Sequence, residues 1–233
     1  MLINRKSFLL AAAATALLPA QESFARTRPV TMLPRTSGPK RFAWTVDDGV
    51  SNLAVKSYLD IAEKYDQHIT FFVTSRYSSW TKNASQIKDL LAQGKIQLAN
   101  HTYSHKDLMK STDGVIKDEL RRCHDFLMNH FYYDAKPYFR ATYGNWDQRV
   151  IDVAASLGYT VPVQWNGTLG DVGGLKEGQV LDLANQWFHM NHIVVDHANS
   201  VKSNDELLRL VGLIKQRELE SITLREAFGK NFR

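Results

Sequence analysis

Short apolar runs alternate with longer helix-like segments from residue 41 to residue 223, and this alternation constrains the fold more than any other feature. Seven runs rich in β-branched or aromatic residues predict strands, at 41–46, 69–73, 96–99, 138–139, 159–163, 193–195 and 221–223. Six segments place apolar residues at helical spacing, at 53–65, 85–92, 115–131, 148–157, 180–190 and 206–217. This order of strands and helices predicts a parallel α/β architecture, either a barrel or an open sheet.

The first 25 residues have the features of an export signal rather than of a folded domain. Two basic residues, Arg5 and Lys6, precede an apolar run that ends near Leu18, and residues 23–25 fit the small-residue pattern of a signal-peptidase site. We therefore expect cleavage after Ala25 and export to the bacterial periplasm or the medium. The basic pair also resembles a twin-arginine signal in which Lys replaces one Arg, so both export routes remain open.

The rest of the chain is expected to form one domain behind a short lead-in segment. Residues 26–40 contain three prolines and little periodicity, which is typical of an irregular segment. Residues 41–233 are long enough for one hydrophobic core but short for two enzyme domains. No stretch in them approaches the roughly 20 apolar residues of a membrane-spanning helix. We therefore expect no integral membrane segment after removal of the signal.

The charge pattern limits the partners that the chain can bind. The formal net charge is +5, without a run of Lys and Arg interleaved with aromatic residues, so we expect no nucleic-acid partner. A mild positive charge is typical of a solvated surface, and attraction to an anionic cell wall is the alternative. The single Cys123 cannot form an internal disulfide and is expected to be buried and unreactive. The oligomeric state stays open.

Unusual polar residues cluster directly after the predicted strands. Asp47-Asp48-Gly49 follows the first strand, residues 101–105 (HTYSH) follow the third, and residues 140–144 (RATYG) follow the fourth. Trp165 follows the fifth strand and His197 the sixth. Because the carboxyl ends of parallel strands line one common face, we expect these residues to converge on a single bowl-shaped site.

Two of these clusters together predict a metal site. Asp47 and Asp48 are adjacent, so one carboxylate can bind a metal ion while the other faces a bound water. His101 and His105 are four residues apart, which lets both rings reach one ion from a helical turn or a tight loop. Taken separately, the acids also suit a turn and the histidines a surface. One Asp with two His residues suits zinc or a similar divalent ion and leaves positions for water and substrate.

Three further residues have both a catalytic and a structural interpretation. Arg140 stands at a strand end beside two acids, which favours an internal ion pair over a surface position. Backbone N–H groups near Tyr143 can stabilise an oxyanion, or the segment is an ordinary turn. His197 is either an acid catalyst or a satisfied core histidine.

These residues resemble the motifs of the polysaccharide deacetylase family, which carries the NodB homology domain and forms carbohydrate esterase family 4. Residues 45–49 read TVDDG where the family has TFDDG, and residues 101–105 match H-[ST]-x-x-H in full. Residues 140–144 resemble RxPYG with Thr142 in place of Pro, and residues 195–197 resemble LxH with Val in place of Leu. The resemblance covers nearly all of residues 41–224 and implies a distorted (β/α)7 barrel.

The resemblance also implies an activity and a set of roles. The activity is that of a metal-dependent hydrolase that removes N-acetyl groups from an amino-sugar glycan such as peptidoglycan or a chitin-like oligomer. The implied metal ligands are Asp48, His101 and His105, around Zn²⁺ or, alternatively, Co²⁺, Ni²⁺ or Mn²⁺. The implied catalytic residues are Asp47 as general base, Arg140 as its partner, His197 as general acid and the backbone N–H of Tyr143 in the oxyanion site.

The resemblance also implies which residues contact the substrate. Trp165, Val195 and Tyr143 are the implied substrate-binding residues, with Val195 lining a small pocket for the acetyl methyl group. Trp165-Asn166 followed by Asp171 faintly matches the family's fourth motif, in which an acid tunes the catalytic histidine.

Two alternatives to the deacetylase function remain open. One is an O-acetyl esterase acting on acetylated xylan, and the other is a catalytically weak periplasmic glycan-binding protein of the same fold.

Overall fold

Eight strands form one parallel sheet within residues 28–170 and 178–229, the part of the chain that the computed structural model describes. They are β1 (Lys40–Asp48), β2 (Ile69–Val73), β3 (Ile96–Asn100), β4 (Tyr138–Phe139), β5 (Val161–Pro162), β6 (Gly167–Thr168), β7 (Ile193–His197) and β8 (Leu219–Ser221). Their order is β5-β4-β3-β2-β1-β7-β6, and β8 pairs with the first residues of β1. No pairing joins β5 to β6 among the described residues, so the curled sheet is incompletely closed.

Eight helices connect and cover these strands within the same residues. They are α1 (Asn52–Lys64), α2 (Ser79–Lys82), α3 (Ala84–Ala92), α4 (Asp113–Phe131), α5 (Gln148–Ala155), α6 (Gln179–Trp187), α7 (Asn204–Gln216) and α8 (Leu224–Phe228). Short 3-10 turns occur at Leu108–Lys110 and Thr142–Gly144. Four helices begin where a Ser or Thr hydroxyl accepts a hydrogen bond from a first-turn N–H group: Ser51, Thr112, Ser203 and Thr223. None of the described helices has the length and apolar character needed to cross a membrane.

Successive side chains of the central strand β1 point to opposite faces of the sheet, so the hydrophobic core has two layers. Phe42, Trp44 and Val46 pack against the helices, whereas Ala43 between them packs inside the barrel with residues such as Phe72 and Tyr138. Both faces of the central strands are therefore covered, as the continuous apolar runs in the sequence require. Cys123 is buried as expected, and burial raises the pKa of its thiol to about 12.

Most predicted elements are present within a few residues, and the differences have physical reasons. The strand β6 was missed because a Gly-Thr pair carries no apolar run and is defined by its pairing with β7. The strand predicted at 221–223 ends at Ser221, since Thr223 leaves the sheet to cap α8. The four-residue α2 is too short to show a periodicity.

Part of the lead-in segment packs into the domain. Val30 and Leu33 are buried, Val30 pairs with Val163 just beyond β5, and Met32 pairs with His192 just before β7. These residues therefore link the end of β5 to the residues just before β7. The predicted signal peptide at 1–25, with its cleavage after Ala25, lies outside the described residues.

Candidate active site

The carboxyl ends of the strands surround a cavity of about 420 Å³. It is lined by Asp47, Asp48, Val50, Tyr77, His101, His105, Tyr143, Gly144, Trp165, Thr168, Val195, His197 and Asn199. All predicted site residues within the described chain except Arg140 are among these, and Arg140 is fully buried in contact with Asp47. The structure thus brings together residues that are up to 150 positions apart in the sequence.

Asp47 and Asp48 both face the cavity because the backbone turns at Asp48. Asp47 continues the inward-facing series of Ala43 and Thr45, and alternation alone would turn Asp48 away. Asp48 instead has a φ of 71°, in the left-handed region that non-glycine residues rarely adopt. Its carboxylate therefore returns to the cavity, with Oδ1 3.5 Å from His101 Nε2.

The turn after these acids needs a glycine. Gly49 has a φ of 90°, and a Cβ added there would lie 2.3 Å from Cζ2 of the Trp80 ring. The ring is fully buried and its Nε1 donates to the carbonyl oxygen of Thr74 at 3.2 Å. The Ser79 hydroxyl donates to the carbonyl oxygen of Gly49. Helix α2, which the sequence did not reveal, therefore supports the Asp47–Gly49 turn.

His101 and His105 converge from a tight loop rather than from a helical turn. Thr102 and His105 have φ values of 72° and 64°. The Asn100 side-chain oxygen accepts from Thr102 N–H at 2.9 Å, and the Thr102 hydroxyl accepts from His105 N–H at 3.1 Å. Since short side chains satisfy these backbone groups locally, the loop keeps both imidazoles on the cavity side.

A buried carboxylate anchors the middle of the same loop. Glu119 on α4 is fully buried and accepts hydrogen bonds at 2.6 Å from both the N–H and the hydroxyl of Ser104. The Lys106 ammonium lies 3.8 Å from it. Sequence reasoning missed Glu119, although it interrupts the apolar stripe of α4 between Ile116 and Cys123. A charged residue on such a stripe indicates a specific buried partner.

The side chains of Asp48, His101 and His105 fit a divalent metal ion. One potential ligand atom from each lies within 4.8 Å of the others. Asp48 Oδ1 is 3.0 Å from His105 Nε2 and is buried, yet it accepts no hydrogen bond from any residue in the described part of the chain. A buried carboxylate oxygen is normally satisfied. An unsatisfied one facing two imidazole nitrogens is the donor set that zinc and similar ions bind.

The protonation states of this cluster suit metal binding. His101 Nδ1 lies 2.8 Å from the carbonyl oxygen of Arg140, so this nitrogen carries the proton and Nε2 presents its lone pair to the cavity. Burial lowers the pKa of His101 and favours the neutral ring, against the effect of the nearby acids. Burial by itself would raise the pKa of Asp48, but the neighbouring imidazoles of His105 and His101 and the Asn199 amide together outweigh it and lower that pKa.

Arg140 forms a buried ion pair with Asp47. Its Nη1 donates to Asp47 Oδ1 at 2.5 Å and to the Thr45 hydroxyl at 3.0 Å. Its other nitrogens donate to the carbonyl oxygens of Val163 and Gln164, and its guanidinium carbon lies 3.9 Å from the centre of the Phe72 ring. Burial lowers the pKa of Arg140, whereas the adjacent Asp47 raises it. All three guanidinium nitrogens of Arg140 therefore donate hydrogen bonds.

His197 is the neighbour of Asp47 across the sheet. The two residues are register partners on the parallel strands β1 and β7, and the Ala198 N–H donates to the carbonyl oxygen of Asp47 at 3.0 Å. Asp47 Oδ2 lies 3.8 Å from His101 Nε2. A carboxylate and a histidine therefore stand side by side at the cavity.

The turn at residues 140–144 contacts the histidine loop. Tyr143 has a φ of 59°, and its ring centre lies 4.5 Å from that of His105 in an edge-to-face arrangement. The Thr142 hydroxyl donates to the carbonyl oxygen of Lys106. Thr142 stands where the family has Pro, and its hydroxyl ties this turn to the loop that carries the two histidines.

Trp165 and Val195 form the apolar side of the cavity. A Cβ added at Gly144, where φ is 67°, would lie 2.8 Å from Cη2 of Trp165, so the ring packs directly on that backbone. Val195 lines the cavity although only 1% of its surface is exposed. Trp165 and Val195, two of the three predicted substrate-binding residues, therefore line the cavity.

Sequence reasoning missed other lining residues. Asn199, Tyr77 and Thr168 also reach the cavity. Asn199 comes two residues after His197, so the strand-end rule that singled out the other residues would also have identified it. Asp171, which only faintly matches the acid of the family's fourth motif, lies outside the described residues.

The family model for polysaccharide deacetylase matches residues 35–162, more than half of the 233 residues. A chitooligosaccharide deacetylase from Bradyrhizobium is 28% identical over 130 residues, which are 56% of this chain and 58% of that protein. The chain therefore spans less than two thirds of the length of this relative.

Two solved structures are similar in fold. The chitin deacetylase from Colletotrichum lindemuthianum has a TM-score of 0.75 at 22% identity, covering 88% of this chain and 92% of that one. BA3943 from Bacillus anthracis, a CE4 family pseudoenzyme, has a TM-score of 0.74 at 17% identity, covering 87% of this chain and 69% of that one. The predicted distorted α/β barrel is thereby confirmed. Since a deacetylase and a pseudoenzyme share this fold, activity has to be argued from the site.

Proposed function

The chain belongs to the polysaccharide deacetylase family, and on that basis we propose that it is a metal-dependent hydrolase that removes N-acetyl groups from an amino-sugar glycan. One observation carries the proposal. Asp48 Oδ1 is buried without a hydrogen bond from the described residues, between the Nε2 atoms of His101 and His105. Beside it stand a carboxylate held by Arg140 and a histidine, the acid-base pair that hydrolysis of an amide requires.

The metal site has one function in this proposal. A divalent ion held by Asp48, His101 and His105, with Zn²⁺ as first candidate and Co²⁺, Ni²⁺ or Mn²⁺ as others, would supply the Lewis acidity that polarises a carbonyl group and acidifies a water molecule. The remaining chemistry belongs to side chains and backbone groups of the chain.

Asp47 is the proposed general base. Arg140 donates to Oδ1 of Asp47, so Oδ2 is the oxygen left to accept a proton. As Oδ2 takes the proton from water, the water oxygen forms a bond to the carbonyl carbon of the acetamido group. The rigid ion pair keeps the accepting oxygen directed into the cavity, which favours this step through orientation.

Tyr143 and His197 act on the two other reacting atoms. The backbone N–H of Tyr143 stabilises the negative charge that develops on the carbonyl oxygen, for which a preorganised donor is typically worth about 3–4 kcal/mol of barrier. His197 gives a proton to the nitrogen as the carbon–nitrogen bond breaks. The products are acetate and a free amino group on the sugar.

The shape of the cavity supports an acetylated sugar as substrate. A volume of about 420 Å³ lies within the range of small-molecule sites. Val195 and Trp165 offer apolar surface for the acetyl methyl group and the sugar ring. Tyr143 is 63% exposed at the rim, where further units of a glycan chain can lie. Peptidoglycan and chitin-like oligomers are the substrates proposed.

The test is acetate release from N-acetylglucosamine oligomers and from peptidoglycan fragments by residues 26–233, stripped with a chelator and resupplied with Zn²⁺. Release that depends on metal supports the proposal. Release only from acetylated xylan favours the esterase alternative. Zinc and glycan binding without any release favours a binding protein, and failure to bind metal at all contradicts the proposed chemistry.

Export is part of the same proposal. We infer that residues 1–25 direct the chain to the periplasm or medium, where wall glycans are found. Expression of the full chain in a bacterium and N-terminal sequencing of the product test this. A mature protein that begins at Arg26 supports export, whereas an intact Met1 on cytoplasmic protein contradicts it.

A further inference from the structure

A side-chain amide outside the predicted set holds one oxygen of Asp48. Asn199 Nδ2 donates to Asp48 Oδ2 at 2.7 Å. The reverse orientation of the amide would place its oxygen against a carboxylate oxygen, so donation from nitrogen is the only favourable arrangement. The two oxygens of Asp48 therefore differ, since Oδ2 is occupied by the amide and Oδ1 faces the two imidazoles.

The loop that carries Asn199 is tied to the turn that carries Asp48. The Ala198 N–H donates to the carbonyl oxygen of Asp47, and the Ala198 carbonyl oxygen accepts from the Ser51 N–H, both at 3.0 Å. The backbones on either side of the Asn199–Asp48 contact are thus joined by hydrogen bonds. Movement of one side chain relative to the other requires these bonds to break.

A buried ion pair closes the same loop. Lys202 Nζ lies 2.7 Å from Asp196 Oδ1 and 2.9 Å from the Tyr58 hydroxyl. The Asp196 side chain is fully buried and that of Lys202 is 5% exposed. The ion pair joins the residues on either side of 197–201, and Tyr58 extends it to α1. The position of Asn199 is therefore fixed from both ends of the loop.

We propose that Asn199 is a positioning residue that holds Asp48 so that only Oδ1 is presented to the metal ion. This inference rests on the proposed metal site and extends it to the atoms that orient a ligand. A carboxylate with one oxygen occupied by an amide binds an ion through the other oxygen and leaves more of the ion for water and substrate. Partners of this kind typically change metal affinity about 10- to 100-fold.

Zinc affinity tests the inference directly. Residues 26–233 are stripped and titrated with Zn²⁺ in competition with a chromophoric chelator, for the unchanged chain, Asn199→Ala and the near-isosteric Asn199→Leu. Gln148→Ala is the matched control, because its exposed amide also donates to a carboxylate, Asp152 Oδ1 at 2.7 Å on α5, and neither residue lines the cavity. We expect about 10- to 100-fold weaker zinc binding in both Asn199 variants and no change in the control.

The visible spectrum of the Co²⁺ form is the second readout. Release of Asp48 Oδ2 to the metal changes coordination, so the d–d bands of both variants should shift while those of the control do not. Thermal unfolding of the metal-free proteins checks that the variants are folded. Zinc affinities within about twofold of the unchanged chain, with unchanged Co²⁺ spectra, would overturn the role of Asn199 and leave the proposed function standing. If the unchanged chain binds no zinc, that result contradicts both the role of Asn199 and the proposed function.

Discussion

Arg140 and Asp47 form an ion pair in which both partners are shielded from solvent, with Nη1 2.5 Å from Oδ1 and side chains that are 0% and 3% exposed. Removing one partner from such a pair leaves a buried, uncompensated charge. The pair therefore ties the stability of the barrel to the orientation of the proposed base.

The substitution Arg140→Met should lower the free energy of unfolding by about 3–5 kcal/mol, because the charge of Asp47 loses its partner. Urea denaturation followed by circular dichroism measures this. Adding Asp47→Asn to Arg140→Met should recover a large part of the loss. A double variant as unstable as the sum of the two single variants would contradict the pairing.

The substitution Asp47→Asn should lower the rate of acetate release about 100- to 10,000-fold, the usual contribution of general acid-base catalysis. The protein should remain folded and bind zinc, since the proposed ligands are Asp48, His101 and His105. Turnover is measured with an N-acetylglucosamine oligomer. The exposed acid Asp118, changed to Asn, is the control and should retain full turnover.

Glu119→Gln should weaken zinc binding about tenfold, because a neutral amide cannot accept both hydrogen bonds of Ser104 as the carboxylate does. The loop that carries His101 and His105 then loses its anchor. Zinc titration compares this variant with Asp118→Asn, which changes the preceding, exposed residue of α4. Equal affinities in the two variants would show that the buried carboxylate does not hold the loop.

The pair of His68 and Glu226 predicts a pH dependence of stability far from the cavity. His68 Nδ1 lies 2.8 Å and 2.9 Å from the two Glu226 oxygens. The hydrogen bond with Glu226 raises the pKa of His68 above 6.5, against burial. Burial alone would raise the pKa of Glu226, but His68 and Thr223 lower it below 4.5.

The directions of the two pKa shifts define the pH range in which the pair stabilises the fold. The raised pKa of His68 stabilises the fold fully below pH 6.5, and that contribution is lost as pH rises through the folded pKa. The lowered pKa of Glu226 stabilises the fold above pH 4.5 and is lost as pH falls through its folded pKa. His68→Gln should therefore lower the unfolding free energy most between pH 4.5 and 6.5. Because the pair is partly exposed, the loss should be about 1 kcal/mol or less.

Urea denaturation across the pH range checks this window. The control is His68→Gln made in a Glu226→Gln background, where the ion pair is already absent and no such pH-dependent loss is expected. A loss for His68→Gln that does not change with pH would indicate a packing effect instead of the ion pair.

Much of the fold could be predicted from the sequence because the central strands are continuous apolar runs. Strand β2 begins and ends where its run does, and the strand-end rule placed Asp47, His101 and His197 at one cavity. The short β6 could not be predicted, since pairing with β7 rather than composition defines it.

The site itself was only partly predictable, for two physical reasons. Alternation along a strand cannot reveal that Asp48 adopts a left-handed backbone and returns to the same cavity as Asp47. The supporting contacts of Glu119, Trp80 and Asn199 join distant segments, so no local pattern predicts which partners they bind. Two signals indicated residues of this set: the charge of Glu119 on the apolar stripe of α4, and the position of Asn199 just after the end of β7.

Asp48, His105 and Tyr143 share an unfavourable backbone, with φ values of 71°, 64° and 59°. Glycine at such positions relieves about 1–2 kcal/mol of steric strain each. Residues proposed to bind the metal ion or to stabilise the oxyanion thus stand where selection for stability alone would favour glycine. A lineage that is no longer selected for activity is expected to lose these residues first. Its proteins would then become more stable and inactive.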